Sequence, residues 1–321
     1  MLNLNNISRY KAVVFFVFLT ASLLSCSGGK DGGNVKEDSM ENVTRLSQIA
    51  IPEVPDSLSE PGDRADYLLA HFWDSVDFSD SKVLTDSIMM EQGISDFIAI
   101  MDFCTQPGLE AGVTKLLDRA YNSSPEAYAR VSQLAERYLW EPESPFRSER
   151  YYTPFVEYAM SKSGNGAVHA EYRLEEIKRN SPGTVAPDFS VRDRNGRKVS
   201  LKEYTRNNPL TILMFYEPDC ESCNKVIDAL EANEAFIASI AEGGIGFMAV
   251  YLGEDETLWR GHAAGLPKEW KVGIDIDQTV DSEDLYVVRA TPSFYLIDSS
   301  GRIIVKDGTL ADLYKTLYEN Q

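Results

Sequence analysis

Cysteine, histidine and clustered positive charge are all scarce in this sequence. Only four cysteines occur in 321 residues, namely Cys26, Cys104, Cys220 and Cys223. They are too few and too unevenly spaced for the disulfide framework of a small secreted domain. No run of Lys or Arg follows the first dozen residues, and the formal net charge is -19. Because phosphate groups are bound by clustered cations, we expect no nucleic-acid partner and no adsorption to anionic lipid.

The chain also lacks an apolar run long enough to cross a membrane. The run at residues 12–24 (AVVFFVFLTASLL) holds roughly thirteen residues, whereas a spanning helix needs about 20. Arg9 and Lys11 precede the run, and polar residues follow it directly. This order is typical of a secretory signal peptide, which we predict at residues 1–25.

The end of this segment resembles the lipobox of bacterial lipoproteins. The resemblance lies in Leu23, Leu24, Ser25 and Cys26, although Leu24 stands where a smaller residue is more usual. It implies cleavage before Cys26, a lipid on its sulfur and an extracytoplasmic lipoprotein of a bacterial membrane. The alternative is ordinary secretion with a free cysteine. Residues 26–45, rich in Gly, Ser and charge, are predicted to form a flexible tether.

Residues 46–181 have the periodicity of helices. Apolar residues recur every three or four positions, as at Tyr128, Val131 and Leu134, and Ser124-Pro125 has the composition of a helix start. We therefore predict an all-α domain of about five or six helices. They are expected near 62–78, 84–104, 107–121, 125–140, 148–162 and 166–180.

This predicted helical domain offers little chemistry of its own. Its histidines, His71 and His169, have no second His or Cys at metal-ligand spacing, so no metal site is expected. Cys104 ends an apolar stripe and has no nearby cysteine. We interpret it as a buried free thiol rather than a redox residue.

The chemistry is concentrated in the last 140 or so residues. An apolar strand at 210–217 leads directly into Cys220, Glu221, Ser222 and Cys223, and a helix-compatible stretch follows at 224–240. This order places Cys220 in the first turn of a helix, where the helix dipole and unpaired amides favour a thiolate. Cys223 lies on the same helical face, within reach of a disulfide.

Two interpretations of these cysteines are open from the spacing alone. An activated thiol beside a second thiol can attack a disulfide, form a mixed disulfide and be resolved by its neighbour. The same spacing occurs in zinc sites, but a structural zinc needs two further ligands, and this part of the chain offers only His262.

A second feature lies at Thr291-Pro292, directly before the apolar strand at 293–297. Proline cannot donate a ladder hydrogen bond, so it suits the start of a strand, and a cis bond before it would turn the chain sharply. Such a turn would leave the backbone of Thr291 available to pair with an extended polypeptide.

With these motifs in place, residues 184–321 resemble the thioredoxin superfamily, in particular the TlpA and ResA group of membrane-anchored thiol-disulfide oxidoreductases. The motifs are Ala186, Pro187, Asp188, Phe189, Asp193, Gly196, Ser200, Leu201, the Cys-Glu-Ser-Cys sequence, Thr291-Pro292, Asp298 and Gly301. The stretch at 71–80 also resembles the opening of an uncharacterised helical domain that precedes such modules in envelope lipoproteins. No activity follows from that second resemblance.

The resemblance implies an α/β thioredoxin fold, a mixed central sheet flanked by helices, over residues 182–321. By analogy Cys220 is the attacking thiol and Cys223 the resolving thiol. Pro292 would be a cis-proline that packs beside them and keeps metal away, with Thr291 and Pro292 meeting the substrate. No cofactor is implied. The implied partners are cysteine-containing extracytoplasmic proteins and a transmembrane electron donor that recharges the dithiol.

Some residues depart from the family pattern. Asp219 stands where many relatives have Trp, and Met214 and Val226 replace acidic residues of thioredoxin and of ResA-like proteins, so the proton acceptor for Cys223 is unassigned. Glu217, Asp219 and Glu221 are candidates by position. We expect these three carboxylates to disfavour the thiolate and to move the dithiol toward a reducing potential.

The functional prediction is therefore a thiol-disulfide oxidoreductase of the bacterial cell envelope that reduces or exchanges disulfides. One alternative is a lipid-anchored protein-binding module whose thioredoxin fold is a scaffold with an idle or structural cysteine pair. A peroxidase of the peroxiredoxin type is disfavoured, because Pro218 and Asp219 do not fit the residues that precede its reactive cysteine.

Overall fold

The computed structural model describes residues 49–162 and 164–319. The predicted signal peptide, tether and lipidation site at Cys26 lie outside the described residues. The first part of the described chain is helical and is called the helical region below. Its helices are α1 (Pro61–His71), α2 (Ser81–Thr85), α3 (Ser87–Met101), α4 (Gln106–Ser123), α5 (Pro125–Leu139), α6 (Glu149–Met160) and α7 (Asn165–Lys178).

Helix α5 forms for the local reasons visible in its sequence. The Ser124 hydroxyl accepts a hydrogen bond from the Ala127 N–H at 3.0 Å, and Pro125 occupies the first turn, where its missing N–H costs nothing. Val131 and Leu134 then point into the core of the helical region and are buried. The predicted all-α character of this region is confirmed.

Two of the predicted helices were wrong in extent. The helix expected at 62–78 ends at His71, because successive turns follow: the Asp74 N–H donates to the His71 carbonyl and the Val76 N–H to the Trp73 carbonyl. Trp73 lies beyond the end of the helix but is still buried in the core of the helical region. The helix expected at 84–104 is two helices, because the Asp86 carboxylate accepts from the Met89 N–H and starts α3 anew.

The second part of the described chain, called the sheet region below, builds one seven-stranded sheet. Its strands are β1 (Ser190–Asp193), β2 (Lys198–Ser200), β3 (Leu210–Tyr216), β4 (Gly246–Tyr251), β5 (Lys271–Ile274), β6 (Ser293–Asp298) and β7 (Ile303–Gly308). The strand order is β2-β1-β5-β4-β3-β6-β7. Strand β3 pairs in parallel with β4 and antiparallel with β6, so the sheet is mixed.

Helices lie between and after these strands. They are α8 (Leu201–Arg206), α9 (Glu221–Glu231), α10 (Glu234–Ala241), α11 (Glu256–Ala263), α12 (Thr279–Ser282) and α13 (Leu310–Glu319). Because side chains alternate along β3, Met214 and Phe215 enter two separate buried clusters. The helix-compatible stretch at 224–240 belongs to two helices, since Asn233 accepts from the Phe236 N–H and starts α10. The predicted thioredoxin fold is confirmed.

The described helical region and sheet region belong to one compact unit. Asn180, at the end of the helical region, has a φ of 56° and a buried side chain. Its amide donates to the Leu285 carbonyl at 2.9 Å and accepts from the Val287 N–H at 3.0 Å. The junction between the two regions is therefore packed rather than exposed.

Candidate functional site

Strand β3 delivers Cys220 to the start of α9. Cys220 is the residue before the first helical turn, and its sulfur accepts a hydrogen bond from the Cys223 N–H at 3.2 Å. The N-terminal end of a helix carries partial positive charge, which stabilises a thiolate at this position. Cys220 is half-buried, whereas Cys223 is fully buried, and both are free thiols in this structure.

The loop that precedes β6, the strand next to β3, lies against Cys220. The Thr291–Pro292 peptide bond is cis, and Pro292 directly precedes β6. The Thr291 carbonyl oxygen is 3.5 Å from Cys220 Sγ and accepts a hydrogen bond from the Ser222 hydroxyl at 3.2 Å. The Thr291 hydroxyl is 4.0 Å from the same sulfur. The fold thus brings the two sequence motifs together.

The two thiols have very different acidities. Burial acts to raise the pKa of Cys220, but hydrogen bonds from Cys223, Ser222 and Thr291 outweigh it and lower the pKa to about 7. Burial raises the pKa of Cys223 to about 12, and its hydrogen bond with Cys220 acts in the same direction. Near neutral pH the site therefore holds one thiolate that solvent can reach and one buried thiol.

The nearby carboxylates were expected to disfavour the thiolate, but the pKa of Cys220 is lowered, because hydrogen bonds to its sulfur outweigh the effects that raise it. The expected move toward a reducing potential stays a prediction. Glu221 is exposed and pairs with Lys225 at 2.6 Å, so its charge is compensated and screened by solvent. Glu217 is half-buried, and its burial together with the neighbouring Asp219 raises the pKa of its carboxyl. This shift moves the protonation of the Glu217 carboxyl toward neutral pH.

Sequence reasoning missed the contacts of Ser222 and His262. The Ser222 hydroxyl lies 2.9 Å from Cys220 Sγ. His262 Nε2 is 3.1 Å from the Asn224 amide oxygen, and the Asn224 amide nitrogen donates to the Pro218 carbonyl at 3.2 Å. Burial lowers the pKa of His262. No spacing in the sequence indicates this bridge, because α11 reaches the motif only through tertiary packing.

The structure also bears on metal ligands, membrane-spanning helices and the remaining thiol, Cys104. Among residues 49–162 and 164–319, no group of three or more His, Cys, Asp or Glu side chains is arranged to hold a metal ion. In the same part of the chain, no helix is long and apolar enough to cross a bilayer. Cys104 is buried, and burial raises the pKa of its thiol to about 12, with Asp66 acting in the same direction.

Two family models match this chain. Residues 25–180 match the domain of unknown function DUF5106, and residues 182–306 match the AhpC/TSA family. The chain is also 27% identical over 133 residues to the thiol-disulfide oxidoreductase ResA of Bacillus subtilis. That alignment covers 41% of this chain and 70% of ResA.

A solved structure resembles both regions together. It is a thioredoxin-like protein from Bacteroides caccae, with 28% sequence identity and a TM-score of 0.77, and the match covers 86% of this chain and 100% of that one. These relatives support a redox role in general terms. The chain therefore combines an N-terminal region that matches the DUF5106 model with a C-terminal thioredoxin-like region that matches the AhpC/TSA family and is similar to the thiol-disulfide oxidoreductase ResA.

Proposed function

We propose that this protein is a thiol-disulfide oxidoreductase of the bacterial cell envelope that reduces or exchanges disulfides in extracytoplasmic proteins. The observation that carries the proposal is the difference between the two thiols. The pKa of Cys220 falls to about 7, whereas that of buried Cys223 rises to about 12. A nucleophile that ionises near neutral pH, beside a thiol that stays protonated until needed, is the arrangement that disulfide exchange requires.

The reaction proceeds in two exchanges. The Cys220 thiolate attacks one sulfur of the substrate disulfide, that S–S bond breaks, and the departing substrate sulfur leaves as a thiolate and takes up a proton. Cys223 then loses its proton and attacks Cys220 Sγ, which releases the second substrate sulfur. The substrate gains two electrons and two protons, and the enzyme ends with a Cys220–Cys223 disulfide. Glu217 is a proposed acceptor for the Cys223 proton, because the pKa of its half-buried carboxyl is raised.

Thr291 and Pro292 are proposed to meet the substrate polypeptide. The Thr291 carbonyl is 3.5 Å from Cys220 Sγ, so a chain that pairs with this loop as an added strand brings its own disulfide to the nucleophile. Binding through the backbone suits an enzyme whose substrates differ in sequence.

The location and partners follow from the sequence. We propose a signal peptide at 1–25, a lipid on Cys26, a tether at 26–45, a helical domain at 46–181 and a thioredoxin-like domain at 182–321. An anchored dithiol outside the cytoplasm needs a transmembrane electron donor to restore its thiols. The acidic chain argues against a nucleic-acid partner.

The test measures reduction of insulin and of a disulfide-linked peptide by the reduced protein. Cys220→Ser should lower the rate about a thousandfold or more, since it removes the nucleophile. Cys104→Ala is the matched control, because it removes a buried thiol from the core of the helical region and should leave the rate unchanged. Full activity in Cys220→Ser, or peroxide consumption without disulfide reduction, would contradict the proposal.

A trapping experiment identifies the substrates. Cys223→Ala cannot resolve the mixed disulfide, so envelope proteins should stay bound to Cys220 and be released by a reductant. The double variant Cys220→Ser/Cys223→Ala should capture none. If both variants capture the same proteins, the captured proteins bind the surface without disulfide exchange, as the scaffold alternative predicts.

A further inference from the structure

A buried cluster of charged side chains joins the helical region to the loop that carries Thr291 and Pro292. Arg289, Lys306 and Asp307 supply it from the sheet region, with side chains only 8%, 3% and 2% exposed. Glu149 and Trp140 approach from the helical region. Burying charges costs free energy that an apolar cluster of similar volume would not cost. Stability alone therefore does not explain why this cluster is charged.

Asp307 holds the loop on both sides of Pro292. Its carboxylate accepts from the Arg289 side-chain Nε–H and lies 3.5 Å from the Arg289 backbone nitrogen, two residues before Thr291. The same carboxylate accepts from the Ser293 hydroxyl at 2.7 Å, one residue after Pro292. One buried side chain on β7 thus fixes the two ends of the segment that touches Cys220.

The helical region in turn holds Arg289. The Arg289 guanidinium lies 4.2 Å from the centre of the Trp140 ring and donates to the Trp140 carbonyl at 3.4 Å. It also pairs with Glu149 at 3.4 Å. Glu149 is itself fixed by Lys306 Nζ at 3.0 Å, which donates further to two backbone carbonyls at the end of α7. A planar guanidinium with three fixed partners has little freedom to rotate.

We propose that the helical region positions the Thr291–Pro292 loop against Cys220 through Arg289, and so sets how tightly the enzyme holds a substrate polypeptide. Arg289 is then a positioning residue. This inference rests on the proposed function, because it assigns the loop to substrate binding. It also gives the helical region a role in substrate binding, through Trp140 and Glu149.

The test compares Arg289→Gln with a matched control, Arg173→Gln. Arg173 also lies over Trp140, at 4.5 Å, but pairs with Glu136 and Glu176 inside the helical region. Both substitutions remove a largely buried guanidinium from the same ring. If the loop is positioned by Arg289, Arg289→Gln should raise KM for a disulfide peptide about tenfold or more with a much smaller change in kcat. Arg173→Gln should leave both near the wild-type values.

A conservative variant sharpens the comparison. Arg289→Lys keeps the charge but loses the planar fork, so it should recover only part of the KM effect. Glu149→Gln weakens the ion pair with Arg289 from the side of the helical region. It takes the place of Arg289→Gln if circular dichroism shows that Arg289→Gln does not fold. It should raise KM in the same direction. An unchanged KM in folded Glu149→Gln and Arg289→Lys would overturn the inference.

A second readout does not need oxidoreductase activity. The loop touches Cys220 Sγ, so displacing it should shift the pH profile of Cys220 alkylation by iodoacetamide in Arg289→Gln and not in Arg173→Gln. If the wild-type protein reduces no disulfide, the proposed function fails while this comparison still stands. If the two variants have the same KM and the same alkylation profile, the cluster is purely structural and the inference is wrong.

Discussion

The Ser222 hydroxyl has two neighbours, Cys220 Sγ at 2.9 Å and the Thr291 carbonyl at 3.2 Å. It has only one hydrogen to donate. When Cys220 is a thiol, Ser222 can donate to Thr291 while the thiol donates in turn. When Cys220 ionises, the same hydrogen can rotate to the sulfur. A hydroxyl that changes partner in this way stabilises the thiolate at small cost, consistent with a pKa of Cys220 near 7.

Ser222→Ala should therefore raise the pKa of Cys220. A hydrogen bond to a charged group is worth about 1.5 kcal/mol or more, which corresponds to roughly one pH unit. The alkylation rate of wild-type Cys220 should rise with pH through about 7, because the thiolate is the reactive form. In Ser222→Ala the inflection should move up by roughly one unit, and the rate at pH 7 should fall about fivefold.

Glu221→Gln is the matched control for this experiment. Glu221 lies in the same motif, but its carboxylate is exposed and paired with Lys225 at 2.6 Å. Its removal should move the inflection far less than loss of the hydroxyl. If Glu221→Gln instead lowers the inflection by as much as Ser222→Ala raises it, the carboxylates control the thiolate, as the sequence alone led us to expect.

At this scale the sequence indicated which residues the fold brings together, but not the acidity of the two thiols. Cys220, Cys223 and Thr291-Pro292 lie in local patterns, a strand before a helix start and a proline before a strand, which reading along the chain can detect. The contact between Ser222 and the Thr291 carbonyl joins residues 69 positions apart. Carboxylates, by contrast, are visible in the sequence whether or not they face the sulfur. The sequence therefore cannot weigh their influence on the thiolate against that of the hydrogen bonds.

Among the helices and strands, starts were easier to predict than interruptions. Ser124-Pro125 marks the start of α5 because serine followed by proline has no favourable place inside a helix. Asp86 and Asn233 also start helices, but the apolar spacing continues on both sides of each. The periodicity therefore favoured one long helix in each case. The side-chain caps of Asp86 and Asn233, which periodicity does not register, start a new helix at each place.

Ser124→Ala should destabilise α5 and with it the helical region. The substitution removes the hydrogen bond that the Ala127 N–H donates to the serine hydroxyl. A lost helix cap of this kind costs about 1 kcal/mol in the free energy of unfolding, whereas Ser124→Asp keeps an acceptor and should cost much less. Urea unfolding followed by circular dichroism at 222 nm measures both. Equal stability of the two variants would show that the cap contributes nothing.

For the whole molecule, the open question is whether the two regions fold as one body. The sequence suggested two separable domains, at 46–181 and 182–321, because helical periodicity gives way to strands between them. The structure places both regions in one compact unit, with Asn180, Arg289 and Lys306 buried or nearly so between them. Shared buried contacts couple the unfolding of two regions, because unfolding of one region leaves buried charges of the other without their partners.

In each region a buried cysteine can serve as a probe of unfolding. Cys104 is buried in the helical region and Cys223 in the sheet region. After Cys220 has been blocked, a brief pulse of alkylating reagent at increasing urea, read by mass spectrometry, reports the opening of each region within one protein. If the regions unfold together, the two curves should coincide.

The Ser124→Ala variant then shows whether destabilising the helical region also destabilises the sheet region. Ser124→Ala lies entirely within the helical region, so in a protein with two independent domains it would move the Cys104 curve alone. In a single cooperative unit it should lower the urea midpoint of both curves equally, by about 0.3 to 0.5 M for a cost of about 1 kcal/mol. Ser124→Asp should return both toward wild type. If the Cys104 curve moves and the Cys223 curve does not, the two regions unfold independently. The helical region could then position the Thr291–Pro292 loop only while it is itself folded.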